Sequence, residues 1–507
     1  MVAASLPVAL FSYLARLSGL SIPSHGFAAV GLFCPRLLLS IISFYHAMKR
    51  KRFSFSLWSL AAIVAIALAC NKEKPIAPPS DTEPAPQQYG TPFDKVPQIA
   101  DIQMYEVNPR VFSPTKNLAG ITARLDSLRK LGINVVWLMP IHQTGSVKSV
   151  GSPYAVKDYL SIHADYGDLA DLRALVDEAH RLEMAVMMDW VANHTAWDHD
   201  WIKNKSWYAQ DAQGNIIHPP GTNWQDVAEL NYNNQAMRRE MIRAMKYWVL
   251  EANIDGYRCD FASGAPLDFW QQAIDTLRSI PEREIIMFAE SDEKALLSAG
   301  FDIIFGWPFY GRLKEVFGGL SARQLYNRHL TEYNGLAPGQ HVLRWITNHD
   351  EHAWDATPQN IFGGNRAAMA AFILASHIGG IPLLYNGQEV GVPYQLPFFE
   401  GSNVTINWGL NPQVKAEYER VLNFRKSSDA LRRGIVTDHS SASVAAFVRA
   451  FNGAEVLVLV NVRNTSSTLS LPASLAHTAW FDAYGQLPVQ LGATVTLSAY
   501  EYKVLKN

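Results

Sequence analysis

Ile254-Asp255-Gly256-Tyr257-Arg258-Cys259-Asp260 is the stretch whose reading decides the fold. A short apolar-leaning run ends in an arginine and an aspartate two positions apart, and strand side chains alternate with period two, so both face the same way. A guanidinium beside a carboxylate keeps that carboxylate ionised near neutral pH, and an acid held in that form can act as a nucleophile. Taken alone, an Arg-x-Asp at a strand end is most often an ordinary ion pair. Two further runs end the same way. Residues 284–289 run into Glu290, and residues 342–348 run into His349-Asp350. In a parallel α/β barrel the C-terminal ends of all strands open on one face, so acids placed there converge although far apart in the chain.

Convergent acids suit glycosidic bond cleavage, in which one carboxylate attacks the anomeric carbon while a second carboxylic acid protonates the leaving oxygen. The motifs occur in order: Asp189-Trp190-Val191-Ala192-Asn193-His194, Gly256-Tyr257-Arg258-Cys259-Asp260, Phe288-Ala289-Glu290 and Thr347-Asn348-His349-Asp350. Supporting segments are 133–140, 153–159 and 380–389. Through these motifs, and over roughly residues 95–507, the chain resembles glycoside hydrolase family 13, the α-amylase family. Any one motif is weak; their joint order and spacing is specific.

The resemblance implies a retaining α-glucan hydrolase cleaving α-1,4-glucosidic bonds of starch, glycogen or maltooligosaccharides. An α-glucosidase or transglycosylase is the near alternative, and a non-catalytic membrane-anchored glycan-binding relative the distant one. By the same resemblance Asp260 is the nucleophile, Glu290 the general acid and then base, and Asp350 the residue that holds sugar hydroxyls and the distorted ring. The two reacting carboxylates are expected ~5 to 5.5 Å apart, the spacing of a retaining enzyme. Arg258 orients Asp260, His194 and His349 contact sugar hydroxyls, Tyr154 is a stacking platform, and Asp189 supports the geometry. Asn193 matches a calcium-ligating asparagine. Many relatives carry a Lys-His pair after the nucleophile, where this chain has Ser263-Gly264, so calcium rests on one candidate ligand although a hard cation takes about six or more oxygens. No organic cofactor is implied.

Length and composition fit this reading. The chain has 507 residues, 48% of them hydrophobic and 18% charged, enough for a large barrel and an added domain. A formal net charge of −2 offers no electrostatic case for nucleic acid. The three cysteines, Cys34, Cys70 and Cys259, do not make a disulfide framework, and Cys259 reads as packing on the strand face opposite Arg258 and Asp260.

Residues 1–70 read as an upstream extension plus a lipoprotein signal peptide. Lys49-Arg50-Lys51-Arg52 is a positive segment, 57–69 an apolar one, and Ala67-Leu68-Ala69-Cys70 resembles a bacterial lipobox. The apolar segment falls short of the ~20 residues that span a bilayer. Lipidation of Cys70 is therefore the expectation, with an uncleaved membrane anchor as the other reading. The protein would then sit in the bacterial cell envelope, lipid-anchored to a membrane. For residues 1–47 two readings stand: sequence upstream of the true start at Met48, or part of a membrane hairpin. Residues 71–100, rich in proline, are expected to form an extended tether.

The remainder divides in two. Residues 101–430 alternate strand and helix periods, as in 102–107, 133–139, 185–191, 301–305 and 381–385 with helical stretches at 168–183 and 237–250 between, which predicts an α/β (β/α)8 TIM barrel. From about 195 to 231 the alternation stops in an insertion carrying Trp197, Trp201, Trp207 and Trp224, matching the family's domain B, where aromatic faces can pack on sugar C–H faces. Residues 431–507 predict a C-terminal antiparallel β-sandwich. Its strongest signal is Asn452-Gly453 between the runs 444–451 and 455–462, with further strands at 468–471, 479–484 and 494–504.

Overall fold

The computed structural model describes residues 86–507. The expected start at Met48, the signal segment, Cys70 and the first half of the tether lie outside the described residues. The second half is not a tether. Tyr89 donates its N–H to the Leu250 carbonyl (2.8 Å) and its hydroxyl to Asp177 (2.7 Å), and the buried ring of Phe93 stacks on His180 at 4.2 Å. Val96 and Ile99 also pack against the core. These residues supply the apolar surface that the proline-rich sequence before them lacks, so docking overcomes the entropy of ordering the segment.

Eight parallel strands close a barrel in chain order: β1 Met104–Val107, β2 Val135–Leu138, β3 Ala185–Val191, β4 Gly256–Asp260, β5 Ile286–Ala289, β6 Ile303–Phe305, β7 His341–Arg344 and β8 Ile381–Tyr385, with β8 pairing back onto β1. Nearly every strand residue is buried, as expected of strands covered by helices outside and by each other's side chains inside. Register places the acids. Asp189 lies opposite Arg258 and Val191 opposite Asp260 across β3 and β4, while Cys259 lies opposite Ala289, so Glu290 emerges level with Asp260 on the adjacent strand. Neighbouring strands are ~4.8 Å apart, which sets the scale of the separation between those two backbones.

The helices follow the sequence pattern with one break. Ile121, Leu125, Leu128 and Leu131, apolar at helical spacing, are divided between two short helices, Leu118–Thr122 and Leu125–Leu131, the second ended by Gly132 at φ 107°. Helix Leu169–Arg181 begins at Asp168, whose carboxylate accepts from the Ala170 and Asp171 amides in a capping box. Near the other end of the barrel, Arg425 donates to the carbonyl of Ser376, in the last turn of helix Asn365–His377, and to those of Gly380 and Ile102, which lead into β8 and β1.

The C-terminal part is a six-stranded antiparallel sheet facing a two-stranded one, as the sandwich reading requires. The hairpin Val444–Phe451/Ala454–Asn461 turns at Asn452 (φ 49°) and Gly453 (φ 84°), both left-handed as a two-residue hairpin turn demands. The predicted strand 494–504 is two strands. Thr494–Leu497 pairs in the small sheet and Tyr502–Lys506 in the large one, separated by Tyr500 at φ 53°. One face of the large sheet, with Phe447, Val456, Val458 and Val504, joins the barrel core; the other, with Leu457, Leu459 and Trp480, packs against Leu469 and Leu497 of the small sheet.

Candidate active site

All three acids open on one cavity of about 970 Å³ at the C-terminal ends of the strands, together with Tyr154, His194 and His349. Beneath it lies Arg258, wholly buried. Its Nη1 donates to both carboxylate oxygens of Asp189 (2.8 and 3.0 Å) and to Asp260 Oδ1 (2.9 Å). Its Nη2 lies 2.7 Å from Glu290 Oε1, but without the direction of a hydrogen bond, so that contact is electrostatic only. The difference separates the two acids. Asp260 has a charge-assisted bond that favours its ionised form. Glu290 has the weaker hold, and burial, with Asp260 and Asp350 nearby, outweighs Arg258 and pushes its pKa up to about 7. Burial also raises Asp260, opposed by Arg258.

Backbone strain after Asp260 positions Glu290. Phe261, directly after Asp260, is held at φ 39°, ψ 51°, a left-handed conformation unusual for an aromatic residue. That conformation aims its N–H at Glu290 Oε2 (2.8 Å), while the Glu290 amide donates to the Cys259 carbonyl (2.9 Å). Cys259 itself is buried on the outer strand face, away from the cavity, as packing.

Across the cavity, His349 carries the link to Asp350. Its Nδ1 is paired with Glu106 at the end of β1, and its Nε2 lies 3.3 Å from Asp350 Oδ2 and 2.9 Å from the Tyr154 hydroxyl. Burial opposes charge on this imidazole, but Asp350 and Glu106 outweigh it and lift the pKa to about 9. Charged His349 therefore donates to Tyr154 Oη, whose own proton goes to Asp189 Oδ2 (3.2 Å). Asp189 also accepts from Trp137 Nε1 (3.1 Å), so the buried acid on β3 ties three side chains, Arg258, Tyr154 and Trp137, together. His194 is neutral by contrast, burial pulling its pKa down to about 4.

Of the four insertion tryptophans only Trp224 lines the cavity, edge-on to His194 (5.7 Å) and Phe261 (5.3 Å). Trp201 and Trp207 pack on each other, and Trp197 lies under the Lys148 ammonium at 3.6 Å. The sequence reading missed the opposite wall. Phe398 stacks parallel to Tyr154 (5.7 Å) and, with Phe399 and Trp354, forms a second aromatic cluster at the cavity edge. It also missed Glu106 and Trp137. An acid within the apolar run that becomes β1 was the available signal for Glu106.

The candidate calcium oxygen at Asn193 is its side-chain Oδ1. Its amide nitrogen faces His194 Nδ1 (3.3 Å), and Gly264 lies beside its Oδ1, where a Cβ would fall 2.1 Å away. Among the described residues no group of three His, Cys, Asp or Glu side chains could hold a metal ion.

A closed parallel barrel that holds Asp260 and Glu290 against one buried arginine, and opens them with Asp350 on a single cavity, has the arrangement that carboxylate-bearing glycoside-hydrolase barrels use. Residues 113–220 match the family model of the α-amylase catalytic domain. It is 26% identical over 383 residues to α-amylase 2 of Dictyoglomus thermophilum, an alignment covering 70% of this chain and 65% of that relative, just under two thirds of its length. An α-amylase structure from Lactobacillus plantarum superposes with a TM-score of 0.73 at 26% identity, covering 81% of this chain and 99% of the other. A noncanonic maltogenic α-amylase from Thermotoga neapolitana does so with a TM-score of 0.72 at 25% identity and the same coverage.

Proposed function

We propose that the protein hydrolyses α-1,4-glucosidic bonds of starch, glycogen or maltooligosaccharides with retention of anomeric configuration. The observation that carries this reading is the single guanidinium of Arg258 in contact with Asp189, Asp260 and Glu290 on the floor of a cavity that Asp350 also lines. In the first step an Asp260 oxygen forms a bond to the anomeric carbon as the glycosidic C–O bond breaks, and Glu290 gives its proton to the departing oxygen. In the second, Glu290, now a carboxylate, takes a proton from water, whose oxygen attacks the anomeric carbon and releases Asp260. Charged His349 and Asp350 would hold the hydroxyls of the ring, and Tyr154, backed by Phe398, would support its face.

The test is turnover of a maltooligosaccharide with the anomer of the first product read by NMR. The α-anomer is expected, with a loss of ~10²- to 10⁴-fold in kcat for Glu290→Gln; a β-anomer, or full activity in Asp260→Asn, would overturn the assignment. The Trp224–Phe261 pair beside Glu290 offers a surface for an acceptor sugar, which favours transglycosylation as the second reading. Chromatography of products from maltotriose separates the two, since transfer yields oligosaccharides longer than the substrate. The presence of all three acids speaks against a binding-only relative.

The lipid anchor at Cys70 and a bacterial envelope location are part of the proposal, supported by the Ala67-Leu68-Ala69-Cys70 sequence. Radiolabelled palmitate incorporated by the full chain but not by Cys70→Ser is the expected result, and equal labelling of both would refute it.

A further inference from the structure

The segment 146–152 is exposed over most of its length yet fastened at both ends to different walls of the cavity. At one end the Ser146 amide and hydroxyl both donate to Asp198 in the insertion (3.0 Å each). Gly145, just before it, sits so close that a Cβ there would lie 2.3 Å from Ala196 and 2.4 Å from Asp198. At the other end the Gly151 carbonyl accepts from the Glu400 amide (3.1 Å) and from Arg110 Nη1 (2.8 Å). Arg110 also binds the Phe398 carbonyl (3.0 Å) and the Glu400 carboxylate (2.7 Å), locking the strap to the loop that follows β8. At its middle, Lys148 is held at φ 57° with its ammonium over Trp197. A segment tied at both ends, with a left-handed lysine anchored between, has one shape.

The strap lies on a particular side of the reacting centre. Lys148, Val150 and Ser152 line the cavity, and Ser152 leads directly to Tyr154, the ring expected to support the sugar bonded to Asp260. Phe398, Phe399 and Trp354 continue the same wall, with Trp354 61% exposed. The proton donor faces the other way, toward Phe261 and Trp224. The leaving sugar therefore departs past Phe261 and Trp224, and the non-reducing part of the substrate must lie against the strap and the Phe398 wall.

We infer that the strap 146–152, joined to the 398–400 loop through Arg110, closes the non-reducing end of the cleft, so that the enzyme works from chain ends and on short α-glucans, not inside long chains. This rests on the hydrolase reading above and names the substrate class within it. A long glucan entering mid-chain would have to thread beneath a segment fixed on both sides, whereas a free non-reducing end needs only to reach the wall.

The test compares two p-nitrophenyl maltoheptaosides, one with a free non-reducing end and one with that end blocked by an ethylidene group, using the full chain. The expected result is at least a hundredfold preference for the free end in kcat/KM. Equal rates overturn the inference while leaving the hydrolase reading intact; no turnover of either substrate overturns the hydrolase reading and this inference with it. A variant with residues 147–150 replaced by two glycines is expected to reduce the preference at least tenfold, read as a ratio so that lower overall activity does not count. An unchanged ratio in a variant that still turns over the free-ended substrate removes the strap as the cause.

Discussion

Glu290→Gln should stabilise the protein at alkaline pH while disabling it, and the size of the gain follows from the site. The carboxyl's pKa is raised by burial, with Asp260 and Asp350 adding to it, from an ordinary 4.5 to about 7 in the folded chain. The folded state thus binds this proton more tightly than the unfolded state. The stabilisation is complete below pH 4.5 and is lost as the pH rises through about 7, where a buried carboxylate must form. At ~1.36 kcal/mol for each pH unit between those values, the loss is about 3 kcal/mol by pH 8. Glutamine has the shape of the protonated carboxyl, keeps an acceptor for the Phe261 amide and cannot ionise. Wild type and variant should therefore match near pH 4.5 and diverge upward. For the roughly 420 described residues at ~2.1 cal/mol/K each, 3 kcal/mol corresponds to about 3 °C in Tm. Thermal unfolding of both proteins at pH 4.5, 6 and 8 measures it. A Tm difference that is independent of pH, or that favours the wild type at pH 8, would refute the placement of a proton on Glu290.

The same proton governs rate. kcat/KM should fall tenfold per pH unit above about 7, and Asp350→Asn, by removing a charge that raises Glu290, should move this limb to lower pH in a profile of the residual activity. Arg258→Met leaves Asp189, Asp260 and Glu290 without their shared cation, and urea titration near neutral pH should register a loss of ~3–5 kcal/mol. Because Asn193 Oδ1 is the single candidate calcium oxygen and a hard cation takes about six, EDTA should leave the apparent Tm unchanged, as a differential scan with and without chelator will read. Gly453→Ala places a Cβ at φ 84° in the two-residue turn and should cost ~1 kcal/mol of stability by denaturant titration.

What the sequence made legible was whatever obeys a short period. Strand alternation placed Arg258 and Asp260 on one face, and the strand ends before Glu290 and His349-Asp350 pointed to one rim. Asn452-Gly453 marked its hairpin because both residues tolerate left-handed backbone. The cavity walls follow no period. Phe398 meets Tyr154, and Glu106 meets His349, across separations of more than two hundred residues, and only barrel closure of β8 on β1 brings such pairs together. Likewise the four insertion tryptophans are equivalent as letters, and the path of an irregular loop decides that Trp224 alone faces the cavity. The segment 86–100 was misread as tether because proline content was weighed over Phe93, Val96 and Ile99, whose burial against the barrel outweighs it.

The strained peptide after Asp260 has a mechanical consequence. Because the amide that grips Glu290 belongs to the residue bonded to Asp260, the proposed attacking group and proton donor share one covalent lever, and barrel breathing carries them along together. Asp350 enjoys no such linkage; it reaches the centre from the far rim through His349 and Glu106. Warming should therefore loosen the grip on sugar hydroxyls before it alters the gap between the two reacting carboxylates, so KM should climb at temperatures where the chemical step still accelerates.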